Sequence, residues 1–126
     1  MELEPPRRPR LLVVDDEHDI LDFVERVFRR DYLVARASSV EEALPLLERG
    51  VVDVIISDRR MPHQSGEQLL SRAAALQPAA LRILLTGYSE ETAASEAVDA
   101  WLHKPVDAEE LTAAVAEAQA RRAAPR

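Results

Sequence analysis

The sequence predicts an α/β protein: a doubly wound, five-stranded parallel sheet with helices on both faces. Three observations carry that expectation. Five short apolar runs recur along the 126 residues, and stretches of helical periodicity lie between them. The clearest runs are apolar throughout rather than alternating, as in strands buried on both faces of a sheet. Strand and helix signals alternate in the order βα, five times over, the pattern of a parallel sheet with crossover helices.

Each element has its own signal. Residues 1–9 hold three prolines and read as a solvated lead-in. Leu11–Val14 is a continuous apolar run that ends in Asp15, Asp16 and Glu17. Ile20, Leu21, Val24, Val27 and Phe28 then recur at helical spacing among charged residues, which predicts an amphipathic helix of about three turns. Leu33–Ala35 predicts a short second strand. Ser39 with Glu42 three residues on matches a capping box, and the helix so opened should stop at Gly50, with Pro45 inside it. Val51–Ile56, followed by Ser57 and Asp58, is the strongest strand signal. After the loop RRMPHQSG comes a helix over Glu67–Leu76, with Leu69, Leu70, Ala73 and Leu76 expected to face inward. Leu81–Leu85 predicts the fourth strand, Glu90–Val98 a short helix and Ala100–Leu102 the fifth strand. Asp107 with Glu110 opens a last helix running to about Ala120. One domain over residues 10–122 and a short tail over 123–126 complete the expected organisation.

Composition narrows the function classes. Hydrophobic residues make up 47% and aromatics only 4%, so the core is aliphatic. A net charge of −7 argues against direct nucleic-acid binding, which needs clustered cations. The chain has no cysteine, which removes disulfides and thiolate metal sites and leaves a cytoplasmic location unopposed. No apolar run reaches the roughly 20 residues of a membrane span. The three histidines lack the spacing of a metal site. Fifteen arginines accompany a single lysine, Lys104, so one compact ammonium stands where guanidinium is used everywhere else.

Ligands of open α/β sheets bind beyond the carboxyl ends of the strands. Asp15 and Asp16 follow the first strand, Asp58 the third, Thr86 the fourth and Lys104–Pro105 the fifth. Each has an ordinary structural use alone: the acidic triplet as helix capping, Asp58 as a turn residue, Thr86 as a strand-end hydroxyl. Gathered at one sheet edge, three carboxylates repel and raise each other's pKa, a conflict that a hard divalent cation resolves. Mg²⁺ suits such oxygen donors, while Lys104 and Thr86 would offset charge or hold a phosphoryl oxygen.

These residues resemble the receiver domain of bacterial response regulators. The resemblance spans about Arg10 to Ala120 and rests on LLVVDDE, IISDRRMP with Gly66 beyond it, LLTG and WLHKP, in order and at matching spacings. It implies the flavodoxin-like strand order 2-1-3-4-5 and a phosphorylation-driven switch rather than an enzyme acting on a separate substrate. Asp58 would accept a phosphoryl group from a sensor histidine kinase or a phosphotransfer protein. Asp15 or Asp16, with Asp16 favoured for direct contact, would bind Mg²⁺ together with Asp58 and the backbone carbonyl of Arg60. Thr86 and Lys104 would bind phosphoryl oxygens, Trp101 would rotate as Thr86 moves, and Pro105 would follow a cis peptide bond. An output partner or domain, or a second copy in a homodimer, would read the change. The 18 residues from Thr86 to Lys104 are about four fewer than is usual, so the fourth helix should be short or reshaped. A receiver-like interaction module without regulated phosphorylation is the alternative. A phosphohydrolase of the haloacid-dehalogenase type fits worse, because Asp15–Asp16–Glu17 is not its D-x-D motif.

Overall fold

The computed structural model describes residues 8–87 and 95–123. Five strands and, among the described residues, four helices follow one another: β1 (Arg10–Val14), α1 (His18–Phe28), β2 (Leu33–Ala37), α2 (Val40–Arg49), β3 (Val54–Asp58), α3 (Gly66–Leu76), β4 (Leu81–Thr86), β5 (Ala100–His103) and α4 (Ala108–Ala123). The sheet is parallel throughout, in the order β2-β1-β3-β4-β5. Fold class and strand order are therefore as the sequence predicts.

The period-two geometry of the strands explains the two cores. Leu11 and Val13 of β1, Val54 and Ile56 of β3, and Ile83 and Leu85 of β4 face one side of the sheet. There they pack on Leu21, Val24 and Phe28 of α1 and Leu111, Val115 and Ala118 of α4. Leu12, Val14, Ile55 and Leu84 face the other side, against Val40, Ala43 and Leu47 of α2 and Leu69, Leu70 and Ala73 of α3. Burial on both faces is why β1, β3 and β4 read as unbroken apolar runs.

Side chains cap three of the four described helix starts. Ser39 Oγ accepts from the Glu42 amide, the forward half of the expected box, while the Glu42 carboxylate takes the Ser38 amide and hydroxyl rather than the Ser39 amide. Asp107 Oδ1 accepts from the Glu110 amide while Glu110 accepts from the Asp107 amide. A further capping box, Ser65 with Gln68, opens α3. The acidic triplet does not cap α1 through its N-cap side chain. Glu17 holds that position without such a bond, and Asp15 Oδ1 instead accepts from the Glu17 amide at 2.9 Å.

Some element limits differ from the sequence reading. The third strand begins at Val54, not Val51. Upstream, the Asp53 carboxylate takes the Arg10 amide and Gln77 takes the Val52 amide, so side chains occupy ladder positions there. Val51 is 57% exposed as a result. Leu76 is 47% exposed rather than core-facing, because it lies in the last turn of α3 and borders a surface hollow with Leu47, Val52 and Pro78. Gly50 caps α2 in an extended conformation, φ −163°, so its freedom to adopt positive φ goes unused. The helix expected over Glu90–Val98 falls largely outside the described residues. Its described end, Ser95–Val98, is a turn closed by the Val98 amide on the Ser95 carbonyl.

Candidate functional site

Three strand ends converge. β1 delivers Asp15 and Asp16, β3 ends on Asp58, and Lys104 directly follows β5. The neighbouring register Asp58↔Leu85 and Thr86↔His103 sets Thr86 one residue beyond the end of β3, on the adjacent strand. Lys104 Nζ donates to Asp15 Oδ2 at 3.1 Å and pairs with Asp58 Oδ1 at 3.0 Å. Asp15, Asp16 and Asp58 each present a carboxylate oxygen within 4.8 Å of the other two. Asp15 is completely buried and Asp58 is 8% exposed, while Asp16 is exposed. The sheet thus brings together the three acids and the lysine that the sequence singles out.

Burial decides the electrostatics. Loss of water pushes the Asp15 carboxyl up from 3.8 to about 6; the Asp58 charge adds to the rise, while the Glu17 amide and Lys104 oppose it. Asp58 is also raised, first by burial and then by Asp16, against the pull of Lys104. Burial weakens the charged form of Lys104 too, but its hydrogen bond to Asp58 and the charges of both acids outweigh that loss and raise it. One ammonium pairs with two of the three carboxylates. Hard oxygen donors gathered this closely are the donor set that Mg²⁺ prefers.

Gly66 packs against Asp58 from behind. A Cβ there would lie 2.1 Å from the Asp58 carbonyl oxygen and 2.7 Å from a Leu84 methyl, so the start of α3 sits on the Asp58 backbone only because residue 66 is glycine. The Gly66 amide donates to the Arg59 carbonyl at 2.8 Å. Arg60 lies exposed on the loop after β3. The Lys104–Pro105 peptide is cis.

Thr86 is completely buried, and its Oγ1 lies 2.9 Å from His103 Nδ1. Sequence reasoning set all three histidines aside and missed this neighbour. The signal is the sheet register that places residue 103 opposite residue 86, and it is not local to either residue. Trp101 is half-buried against the α2–α3 side of the sheet, and the Arg59 guanidinium lies over its ring at 5.6 Å. Arg59 Nε also donates to Glu67 at 3.0 Å.

A family profile described as the response regulator receiver domain matches residues 11–116. The chain belongs to that family. Among curated relatives, it is 35% identical over 113 residues to the transcriptional regulatory protein GlrR of Escherichia coli K12, covering 86% of this chain and 26% of that protein. It is 41% identical over 80 residues to the hydrogenase transcriptional regulatory protein HoxA of Bradyrhizobium diazoefficiens, covering 64% of this chain and 16% of that protein. The chain therefore spans about a quarter or less of these relatives. Among solved structures, a response regulator receiver domain protein from Clostridium thermocellum superposes with a TM-score of 0.80 at 32% identity, covering 90% of this chain and 96% of that one. A response regulator from Burkholderia pseudomallei, solved with a phosphorylated aspartic acid, a calcium ion and citrate, gives 0.76 at 32% identity over 91% of this chain and 73% of that one. Receiver domains are regulatory modules, and no described helix of this one is long and apolar enough to cross a membrane.

Proposed function

We propose that this receiver is a phosphorylation-controlled switch in which Asp58 accepts a phosphoryl group, aided by Mg²⁺, Lys104 and Thr86. The observation that carries the reading is the Lys104 ammonium held between the Asp15 and Asp58 carboxylates at 3.1 and 3.0 Å. A pair of acids fixed around one point charge, beside a third acid, is suited to phosphoryl transfer, which depends on positioning and charge neutralisation. The phosphorylated aspartate and calcium ion of the Burkholderia relative support the same assignment.

Asp16, Asp58 and the Arg60 carbonyl would hold Mg²⁺, with buried Asp15 bracing the site through Lys104 and the Glu17 amide. Bound there, the ion would supply charge neutralisation and a fixed contact for phosphoryl oxygens. An oxygen of the Asp58 carboxylate attacks the phosphorus of a phosphohistidine; an O–P bond forms, the N–P bond breaks, and the imidazole leaves to take up a proton. Lys104 then faces a group of about −1.5 to −2 charges, and the Thr86 hydroxyl turns to one of its oxygens. That movement opens space for Trp101, and the population shifts between two packings of the β4–β5 side of the sheet. The donor is a sensor histidine kinase or phosphotransfer protein. The reader is an output domain, a partner or a second copy. The cytosol, where kinases of this type present their phosphohistidine, is the compartment that fits.

Incubation with acetyl phosphate and Mg²⁺ should add one phosphoryl group, detected by intact-mass spectrometry and lost at alkaline pH. Asp58→Asn should remove the adduct while leaving the circular dichroism spectrum unchanged. An unmodified wild-type chain would leave the protein as a receiver-fold interaction module.

A further inference from the structure

The Thr86 hydroxyl is buried, so its hydrogen bonding must be met inside the protein. Its partners among the described residues are His103 Nδ1 at 2.9 Å and the Gly87 carbonyl at 3.4 Å. β4 lies between β3, which carries Asp58, and β5, which carries His103. A threonine hydroxyl bonded to His103 is therefore turned toward β5, away from the acceptor strand. Side chains two residues apart on a strand share a face, so His103 stands beside Trp101, the aromatic expected to move with Thr86.

We propose that His103 is a latch on Thr86: its imidazole holds the threonine hydroxyl in the resting orientation and sets how readily the switch is thrown. The inference rests on the phosphoryl-switch reading above and names a positioning residue for it. The hydroxyl has one proton to give. In the Nε2–H tautomer of His103, Nδ1 accepts that proton, which is then not available to a phosphoryl oxygen, so switching exchanges one hydrogen bond for the other. His103 is exposed, and water replaces Thr86 at its ring once the latch opens. Thr86 has no comparable access to water, so without His103 its hydroxyl is drawn more strongly to the phosphoryl group. The latch thus lowers the population of the competent state, and a ligand selecting that state binds more weakly by the same factor.

The test uses beryllofluoride with Mg²⁺ as the phosphoryl mimic, with the bound adduct followed by fluorine NMR. His103→Leu should lower the half-saturating concentration about two- to tenfold, the weight of one net hydrogen bond. His103→Asn keeps a polar atom near the Nδ1 position and should stay within about twofold of wild type. In a Thr86→Ala background, His103→Leu should have no effect, because the latch then has nothing to hold. An unchanged or higher concentration for His103→Leu overturns the latch, as does a shift that persists in the Thr86→Ala background. A wild-type chain that forms no adduct overturns the switch reading and the latch with it.

Discussion

Neutralising Asp15 should make the metal-free protein more stable at neutral pH, and the size of the gain follows from its burial. The folded carboxyl titrates at about 6 against an ordinary value of 3.8, chiefly because burial disfavours its charge. A folded-state pKa above the unfolded one means that the folded protein keeps a proton which the unfolded chain has lost between those two values. Stability from this group is therefore fully present below about pH 4 and falls as pH rises through about 6. At about 1.36 kcal/mol per pKa unit, the loss amounts to about 3 kcal/mol by pH 7. Asp15→Asn removes the titration and serves as the reference, so groups that titrate in this range without coupling to Asp15 cancel, leaving Asp15 with its coupled neighbour Asp58. Urea unfolding of both proteins without divalent ions, at pH 4 and pH 7, measures the effect. The unfolded carboxyl is already partly ionised at pH 4, so the wild type should lose about 2–2.5 kcal/mol relative to Asp15→Asn across that interval, a midpoint shift of about 1–2 M at an ordinary urea dependence. Mg²⁺ at pH 7 should restore the wild type and leave the variant less affected. A difference that is flat with pH, or that grows in favour of the wild type, would refute the view that Asp15 is held charged against its surroundings.

Two other substitutions probe the site's construction. Gly66→Ala places a methyl 2.1 Å from the Asp58 carbonyl and should cost about 1–3 kcal/mol, read by thermal or urea unfolding, with phosphorylation by acetyl phosphate slowed beyond what that loss explains. Wild-type stability in this variant would mean that α3 does not seat on β3 as described. Lys104→Arg keeps the charge but replaces a point donor, bonded to two acids at once, with a planar fork. It should fold, bind Mg²⁺ and accept phosphoryl at least about tenfold more slowly, a loss of about 1.4 kcal/mol in transition-state stabilisation. Equal rates would show that charge alone suffices.

The fold was legible because the three inner strands are buried on both faces and each helix on one, so the two periodicities separate cleanly in β1, α1, β3 and β4. The acidic cluster and Lys104 were legible for a topological reason: a parallel sheet sends the residues after its strands to one edge, whatever their separation in sequence. Less visible features depend on partners that no local window contains. Val51–Asp53 has strand composition, yet side chains of Asp53 and Gln77 take the amides that a ladder would use. Leu76 keeps the helical spacing but lies in the final turn of its helix, beside a surface hollow. His103 reads as an isolated histidine until the β4–β5 register sets it against Thr86. The capping box at Ser65 was readable, since Gln68 stands three residues on, but the loop sequence around it drew attention to Met61, Pro62 and Gly66 instead.

A crystal structure with Mg²⁺ and beryllofluoride tests the central claim most directly. The account predicts the beryllium on an Asp58 carboxylate oxygen, Lys104 and Thr86 on its fluorides, and a single Mg²⁺ held by Asp16, Asp58 and the Arg60 carbonyl. An adduct on another residue, or a metal bound away from these acids, would contradict it.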